Sequence, residues 1–203
     1  MKSQLKLAIS LFIVTAAASV ALAGAQTSRV VDKSGAQPDL ALTYSYIRSN
    51  APPAQCGCFS LNGGSAAFAW PIKAGGFAVV GDVTAATTSN VAGAGTGLTL
   101  STYTGGVRYK PHVGRSALQP FGQVLVGVAH SSGPLVQGQY SATNNANAAF
   151  AAQIGGGLDL RLARHVSLRL IDADYLLTTF DNGANNHQNN IHISGGAILH
   201  FGK

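Results

Sequence analysis

Alternation between apolar and polar or small residues recurs along most of the chain, and helical periodicity is weak throughout. In one such segment, Val79 and Val83 alternate with Asp82 and Thr84. A period of two residues is the signature of a β-strand whose two faces differ. The pattern predicts eight strands, at 38–48, 63–72, 76–86, 97–109, 119–131, 148–161, 165–178 and 189–202.

The connections between these strands alternate in length. The short or moderate ones are 73–75, 110–118 and 162–164, and the long ones are 49–62, 87–96, 132–147 and 179–188. Short turns at one end and long loops at the other are typical of outer-membrane barrels. The predicted fold class is therefore all-β, a single eight-stranded antiparallel up-and-down transmembrane β-barrel over residues 38–203. A soluble lipocalin-like barrel is the alternative, and it requires apolar residues inside and polar residues outside.

The N-terminus has the features of a secretion signal. Lys2 and Lys6 precede an apolar run over 7–20, and small residues follow at 21–25. Because a membrane-spanning helix needs about 20 apolar residues, this run is short for an anchor. We predict a signal peptide over 1–25, cleaved before Gln26, and a short N-terminal segment over 26–37.

Composition excludes several classes of protein. Charged residues make up 10%, apolar residues 46%, and mean hydropathy is +0.21, so the chain is neither disordered nor a coiled coil. The seven acidic residues are all Asp, and the pI of about 9.6 reflects scarce acids rather than a cationic patch. We therefore expect no nucleic-acid partner.

Aromatic residues cluster near the strand ends beside the short turns. Trp70, Phe77, Tyr109 and Phe201 all fall there. Outer-membrane barrels carry aromatic girdles at the levels of the lipid headgroups. The placement predicts such a girdle, with outer-membrane lipid as the partner of the outer wall.

Polar residues of inward parity predict a network inside the barrel. They are Asp82, Arg108, Gln123, Gln153, Asp159, Arg161, Asp172, Asp174 and His192. An eight-stranded barrel is just wide enough for its interior to be filled by side chains, and buried charges must be paired. We expect a filled lumen and a structural or surface-interaction role. A narrow channel for small solutes is the alternative, favoured if Asp82, Asp159 or Asp174 lacks a partner.

Strand 7 breaks the inward parity. Asp172 and Asp174 lie on one face by parity, whereas Arg169 lies on the other. One extra residue would bring all three to the same face. We therefore predict a β-bulge near Leu170 and Ile171.

Enzymatic and metal-binding interpretations have weak support. His165-Val166-Ser167 and His192-Ile193-Ser194 resemble His-x-Ser pairs of lipid A deacylases. His165 falls at the periplasmic end, away from surface lipid A, and no acid follows His192, which Asp181 could reach only by loop folding. His130, His187 and His192 lack the spacing of a metal motif. We expect no enzymatic activity, no cofactor and no metal site.

Cys56 and Cys58 are the only cysteines. An even number in an exported chain predicts a disulfide that stiffens the first loop. Copper binding and intermolecular pairing are the alternatives.

The C-terminal strand resembles a known targeting signal. Ser194, Gly196, Leu199 and Phe201 follow the pattern polar, x, Gly, x, x, apolar, x, aromatic of the barrel-assembly signal of outer-membrane proteins. Gly202 and Lys203 depart from it, since many such proteins end on the aromatic residue. The resemblance implies the barrel-assembly machinery as a partner during biogenesis.

Two further segments resemble OmpA-like, "porin family" barrels. The last hairpin, from Asp174-Tyr175 to Asn189-Asn190-Ile191, is similar to theirs, and 56–64 resembles the first loop of acidobacterial members. The resemblance covers about 38–203. It implies an eight-stranded barrel in the cell outer membrane, without the peptidoglycan-binding domain of OmpA, that meets any surface partner through its long loops.

Overall fold

The computed structural model describes residues 37–49, 58–72, 75–89, 97–111, 116–132, 148–180 and 187–202. The predicted signal peptide over 1–25 and almost all of the segment over 26–37 lie outside these residues. In the described part of the chain, no helix has the length and apolar character needed to cross a membrane.

Eight antiparallel strands form a closed barrel in which each strand pairs with its neighbours in sequence and β1 pairs with β8. The strands are β1 (Asp39–Ser49), β2 (Phe59–Pro71), β3 (Phe77–Thr88), β4 (Leu98–Tyr109), β5 (Leu118–Ser132), β6 (Ala148–Arg161), β7 (Val166–Thr178) and β8 (Gln188–His200). The predicted all-β, eight-stranded up-and-down barrel is thereby confirmed.

The start of β2 differs most from the sequence-based bounds. The strand begins at Phe59, four residues before the predicted start at Gly63. Phe59 and Leu61 pair with Ser49 and Ile47 of β1, and both side chains are buried. Pairing with β1 and burial of these side chains extend the strand to the residues before Gly63. The Gly- and Ser-rich sequence indicated neither the pairing nor the burial.

The two ends of the barrel differ. We call "turn end" the end that carries the connections 72–76, 110–117 and 162–165 together with the start of β1 and the end of β8. The opposite end, which carries the four connections 50–58, 89–97, 133–147 and 179–187, is the "loop end".

The outer wall of the barrel is apolar. Large side chains from every strand are 37–60% exposed, among them Tyr44, Val124 and Ile154. Soluble monomers rarely expose apolar surface of this extent. A soluble lipocalin-like barrel requires a polar outer wall. The apolar outer wall of this barrel contradicts that alternative.

The predicted bulge in β7 is present. Arg169 pairs with Gly196 and Asp172 with Ser194, so Leu170 and Ile171 together lie opposite the single residue Gly195. Both side chains of the bulge are exposed on the outer wall, at 45% and 46%. The extra residue restores Arg169, Asp172 and Asp174 to one face, and all three side chains are buried inside the barrel.

Candidate functional site in the barrel lumen

The lumen is apolar near the loop end. Ile47, Leu61, Leu98 and Leu176 are almost fully buried in one cluster of inward side chains. Phe59 and Phe180 belong to the same cluster. We call this cluster the apolar layer. It was not predicted, because Phe59, Leu61 and Phe180 lie outside the predicted strands 63–72 and 165–178 and only polar residues were assigned to the lumen.

Below the apolar layer lies an ionic network with Arg169 at its centre. The Arg169 Nε donates to Asp159 Oδ1 at 3.0 Å, and its Nη1 donates to Asp172 Oδ2 at 3.0 Å. All three side chains are at most 5% exposed. Ion pairs with buried partners are strongly interdependent, because removal of one member leaves an unpaired charge.

Gln123 connects this centre to Arg108. Its Oε1 accepts from Arg108 Nε at 3.0 Å and from Nη2 at 2.8 Å. Its Nε2 donates to Asp174 Oδ2 at 2.9 Å and lies 3.3 Å from Asp172 Oδ1. One neutral amide therefore joins a cation on β4 to two carboxylates on β7.

Lys110 brings together strands that are not neighbours. It follows β4, and its Nζ lies 3.2 Å from Asp39 Oδ2 on β1 and 3.1 Å from Asp159 Oδ2 on β6. The lysine side chain is 23% exposed, whereas both carboxylates are buried. Lys110 thus bridges the lumen close to the turn end. The polar residues predicted to face the lumen included neither Lys110 nor Asp39, although Asp39 has inward parity on β1.

The ring of Phe121 contacts both arginines of the network. The Cζ atoms of Arg108 and Arg169 lie 4.8 Å and 4.5 Å from the centre of its ring. A cation over an aromatic face is stabilised by roughly 0.5–2 kcal/mol, more when it is desolvated. The ring therefore stabilises both guanidinium groups, and parity alone did not reveal this role.

Glycines of β6 provide space for this network. A Cβ atom on Gly157 would lie 2.7 Å from Phe121 Cζ, and one on Gly155 would overlap Asp174 Oδ1. Real Cβ atoms do not approach other heavy atoms so closely. The Gly155-Gly156-Gly157 run thus provides room in the lumen, which explains glycine inside a strand.

Two buried carboxylates lack a basic partner of the Arg or Lys type. In the described part of the chain, Asp82 accepts a hydrogen bond only from Thr84 Oγ1, at 3.0 Å. Asp174 accepts from Gln123, and His192 Nδ1 lies 3.9 Å from its Oδ2. The side chain of Gln153 is buried as well, and its Nε2 has no hydrogen-bond partner.

Neither His-x-Ser motif forms a pair within itself. His192 Nε2 lies 3.1 Å from Ser45 Oγ on β1, and Ser167 Oγ lies 2.7 Å from His200 Nε2. Asp174, His192 and Ser45 therefore follow the order of a hydrolase triad, but with a long acid–histidine distance. Ser45 is 0% exposed, so no substrate reaches its hydroxyl in this structure.

The remaining predicted residues lie at the rims or on the outer wall. Arg161 is half-buried at the end of β6, where its Nη2 donates to the Arg164 carbonyl at 3.3 Å. His130 is exposed, and the described residues contain no cluster of three or more His, Cys or Asp that could hold a metal ion. Cys58 is exposed, and Cys56 lies outside the described residues, so the disulfide stays a prediction.

The four girdle residues lie on the outer wall near the turn end. Trp70, Phe77, Tyr109 and Phe201 are 43–60% exposed, and the rings of Phe77 and Tyr109 are 4.7 Å apart. The residues of the proposed assembly signal divide between the two faces of β8. Ser194 is buried, Leu199 and Phe201 are exposed, and a Cβ on Gly196 would overlap the backbone of β1.

Comparison with solved structures identifies the fold. Neisserial surface protein A matches with a TM-score of 0.62 at 13% identity, over 83% of this chain and 100% of that one. The fold is that of the small, OmpA-like outer-membrane barrels. The attachment invasion locus protein Ail of Yersinia pestis is also similar, with a TM-score of 0.49 at 12% identity over 82% and 100% of the two chains. No family model and no curated protein matches the sequence.

Proposed function

We propose that this protein is a non-enzymatic barrel of the bacterial outer membrane whose lumen is closed by its own side chains. Its role is structural or lies in surface contacts made by the long loops. The apolar outer wall supports the location, since in hydrocarbon only helices and closed barrels satisfy their backbone hydrogen bonds. The cleaved signal peptide and the assembly signal at Phe201 belong to the same proposal.

The observation that carries the closed lumen is the pair of stacked layers inside it. The apolar layer fills the loop end, and below it Arg169, Gln123 and Lys110 connect four carboxylates from the three strands β1, β6 and β7 across the lumen. Charged groups held in this way leave little room for solute, which agrees with the size of an eight-stranded barrel.

Single-channel recording tests this proposal. The refolded mature chain is placed in a planar bilayer, and a gel shift on heating shows that the barrel has folded and inserted. We expect a folded barrel without discrete conductance steps. Reproducible steps would contradict the closed lumen, and a chain that never shows the gel shift would contradict the membrane barrel.

A narrow channel for small cations is the second candidate. The observation that favours it is that Asp82 and Asp174 have no Arg or Lys partner in the described structure. Uncompensated carboxylates attract cations and select against anions. This candidate therefore predicts cation-selective conductance steps that are weaker in the Asp174→Asn variant. The closed lumen predicts no conductance steps for the native chain or for the variant.

A further inference from the structure

The outer surface of the barrel has an asymmetric charge. The acidic residues that the structure describes are all buried inside, namely Asp39, Asp82, Asp159, Asp172 and Asp174. The described outer surface therefore has no acidic side chain. The distribution of the basic side chains between the two ends then decides what the surface attracts.

The turn end carries apolar and basic residues side by side. In the β6–β7 turn, Leu162 is 45% exposed and Arg164 is exposed two residues later. The hydrogen bond from Arg161 Nη2 to the Arg164 carbonyl joins the two ends of this turn. Ile72 is likewise 45% exposed at the end of β2, and Lys73 follows it in sequence.

The loop end carries less of this combination, with Arg48 opposite the exposed Ile191. Arg48 is its one basic residue of Lys or Arg type among those the structure describes, and its Nη1 donates to Ser60 Oγ at 2.9 Å. In sequence, the connections at this end contain Asp181 and no Lys or Arg. The two ends therefore differ in net charge, since Asp181 offsets Arg48 at the loop end while the turn end carries Lys73 and Arg164.

We propose that the turn end is a docking surface for anionic phospholipid headgroups in the periplasmic leaflet of the membrane. This inference rests on the proposed location, because it requires the turn end to lie at the headgroup level. Trp70, Phe77 and Tyr109 are exposed at the same end, as expected at a membrane interface. At that depth the side chain of Leu162 enters the acyl region while Arg164 reaches the phosphates.

Electrostatic attraction sets the size of the expected effect. Each Lys or Arg near an anionic lipid surface contributes about 1 kcal/mol, which corresponds to about a fivefold change in lipid binding. The attraction falls off within about 10 Å at 0.1 M salt, so it acts on adjacent headgroups only. Loss of Arg164 alone should therefore produce a measurable change.

The test uses tryptophan fluorescence quenched by brominated lipids. Trp70 is the only tryptophan, so Trp70→Phe provides a silent background. In that background, Leu162→Trp reports on lipid at the turn end and Phe150→Trp on lipid at the loop end, since both parent side chains are exposed. Quenching by brominated phosphatidylglycerol is compared with quenching by brominated phosphatidylcholine in the same vesicles.

We expect the reporter at 162 to prefer the anionic lipid severalfold, the reporter at 150 to show no preference, and 1 M salt to abolish the difference. Arg164→Gln should reduce the preference at 162 about fivefold, whereas the matched loop-end change Arg48→Gln should leave it unchanged. Equal preferences at both reporters, or indifference to Arg164→Gln, would overturn the inference while the folded barrel stands. A chain that fails to insert would overturn the inference and the proposed function together.

Discussion

Replacing Arg169 by Met removes the cation at the centre of the lumen while keeping a long apolar side chain. In the native barrel the guanidinium donates to Asp159 and Asp172 at 3.0 Å each. Lys110 remains 3.1 Å from Asp159 in the variant, so that carboxylate keeps a partner. Asp172 keeps only the amide of Gln123, and its charge becomes uncompensated.

The expected loss follows from these contacts. Removing one member of a buried ion pair costs about 3–5 kcal/mol, because the remaining charge is left buried and unpaired. Phe121 also loses one of its two guanidinium contacts, at about 0.5–2 kcal/mol. Since Lys110 limits the loss at Asp159, we expect Arg169→Met to lower the free energy of unfolding by about 3–5 kcal/mol in total.

Urea unfolding in phosphatidylcholine vesicles, which contain no anionic lipid for Arg164 to bind, measures this loss through Trp70 fluorescence. The matched control is Arg164→Met, which removes an exposed arginine and should change the free energy by less than about 0.5 kcal/mol. Adding Asp172→Asn to Arg169→Met removes the orphaned charge and should regain about 1–3 kcal/mol. If Arg169→Met destabilised no more than Arg164→Met, the network would not hold the barrel as described.

Three further predictions concern the glycines, the apolar layer and the buried serine. Gly157→Ala should lower the urea midpoint by the equivalent of about 1–3 kcal/mol, because the new Cβ atom would overlap its neighbours. Gly81→Ala is the control and should leave the midpoint unchanged, because a Cβ atom at that position has no heavy atom within 4 Å. Leu98→Ser combined with Leu176→Ser should leave the folded barrel without discrete conductance steps in planar bilayers, because the ionic network below still fills the lumen; steps in this variant would show that the apolar layer is the only barrier. A fluorophosphonate probe should not label the folded barrel, since Ser45 is fully buried; labelling that Ser45→Ala abolishes would refute the non-enzymatic proposal.

Much of the barrel could be predicted from local sequence. Seven strands begin within one residue of the predicted starts, and the bulge at Leu170 and Ile171 follows from the change of parity between Arg169 and Asp172. These features depend on a period of two residues, which any strand imposes on its own sequence. The early start of β2 at Phe59 could not be predicted from alternation, because that start depends on pairing with β1.

The partners inside the lumen could not be predicted in this way. Parity placed Asp159 and Asp174 inside, but it did not show that Lys110 reaches Asp159 or that Gln123 joins Asp174 to Arg108. The His-x-Ser motifs show the same limit, since His192 lies beside Ser45 rather than beside Ser194.

The sequence by itself therefore determined the strands, the inward and outward faces, and the strand that bulges. Only the tertiary structure decided which inward groups meet, and it placed the apolar layer at the loop end. The physical reason lies in closure: pairing of β1 with β8 fixes the register of all eight strands at once. Residues more than 40 positions apart, such as Gln123 and Asp172, come into contact through that register.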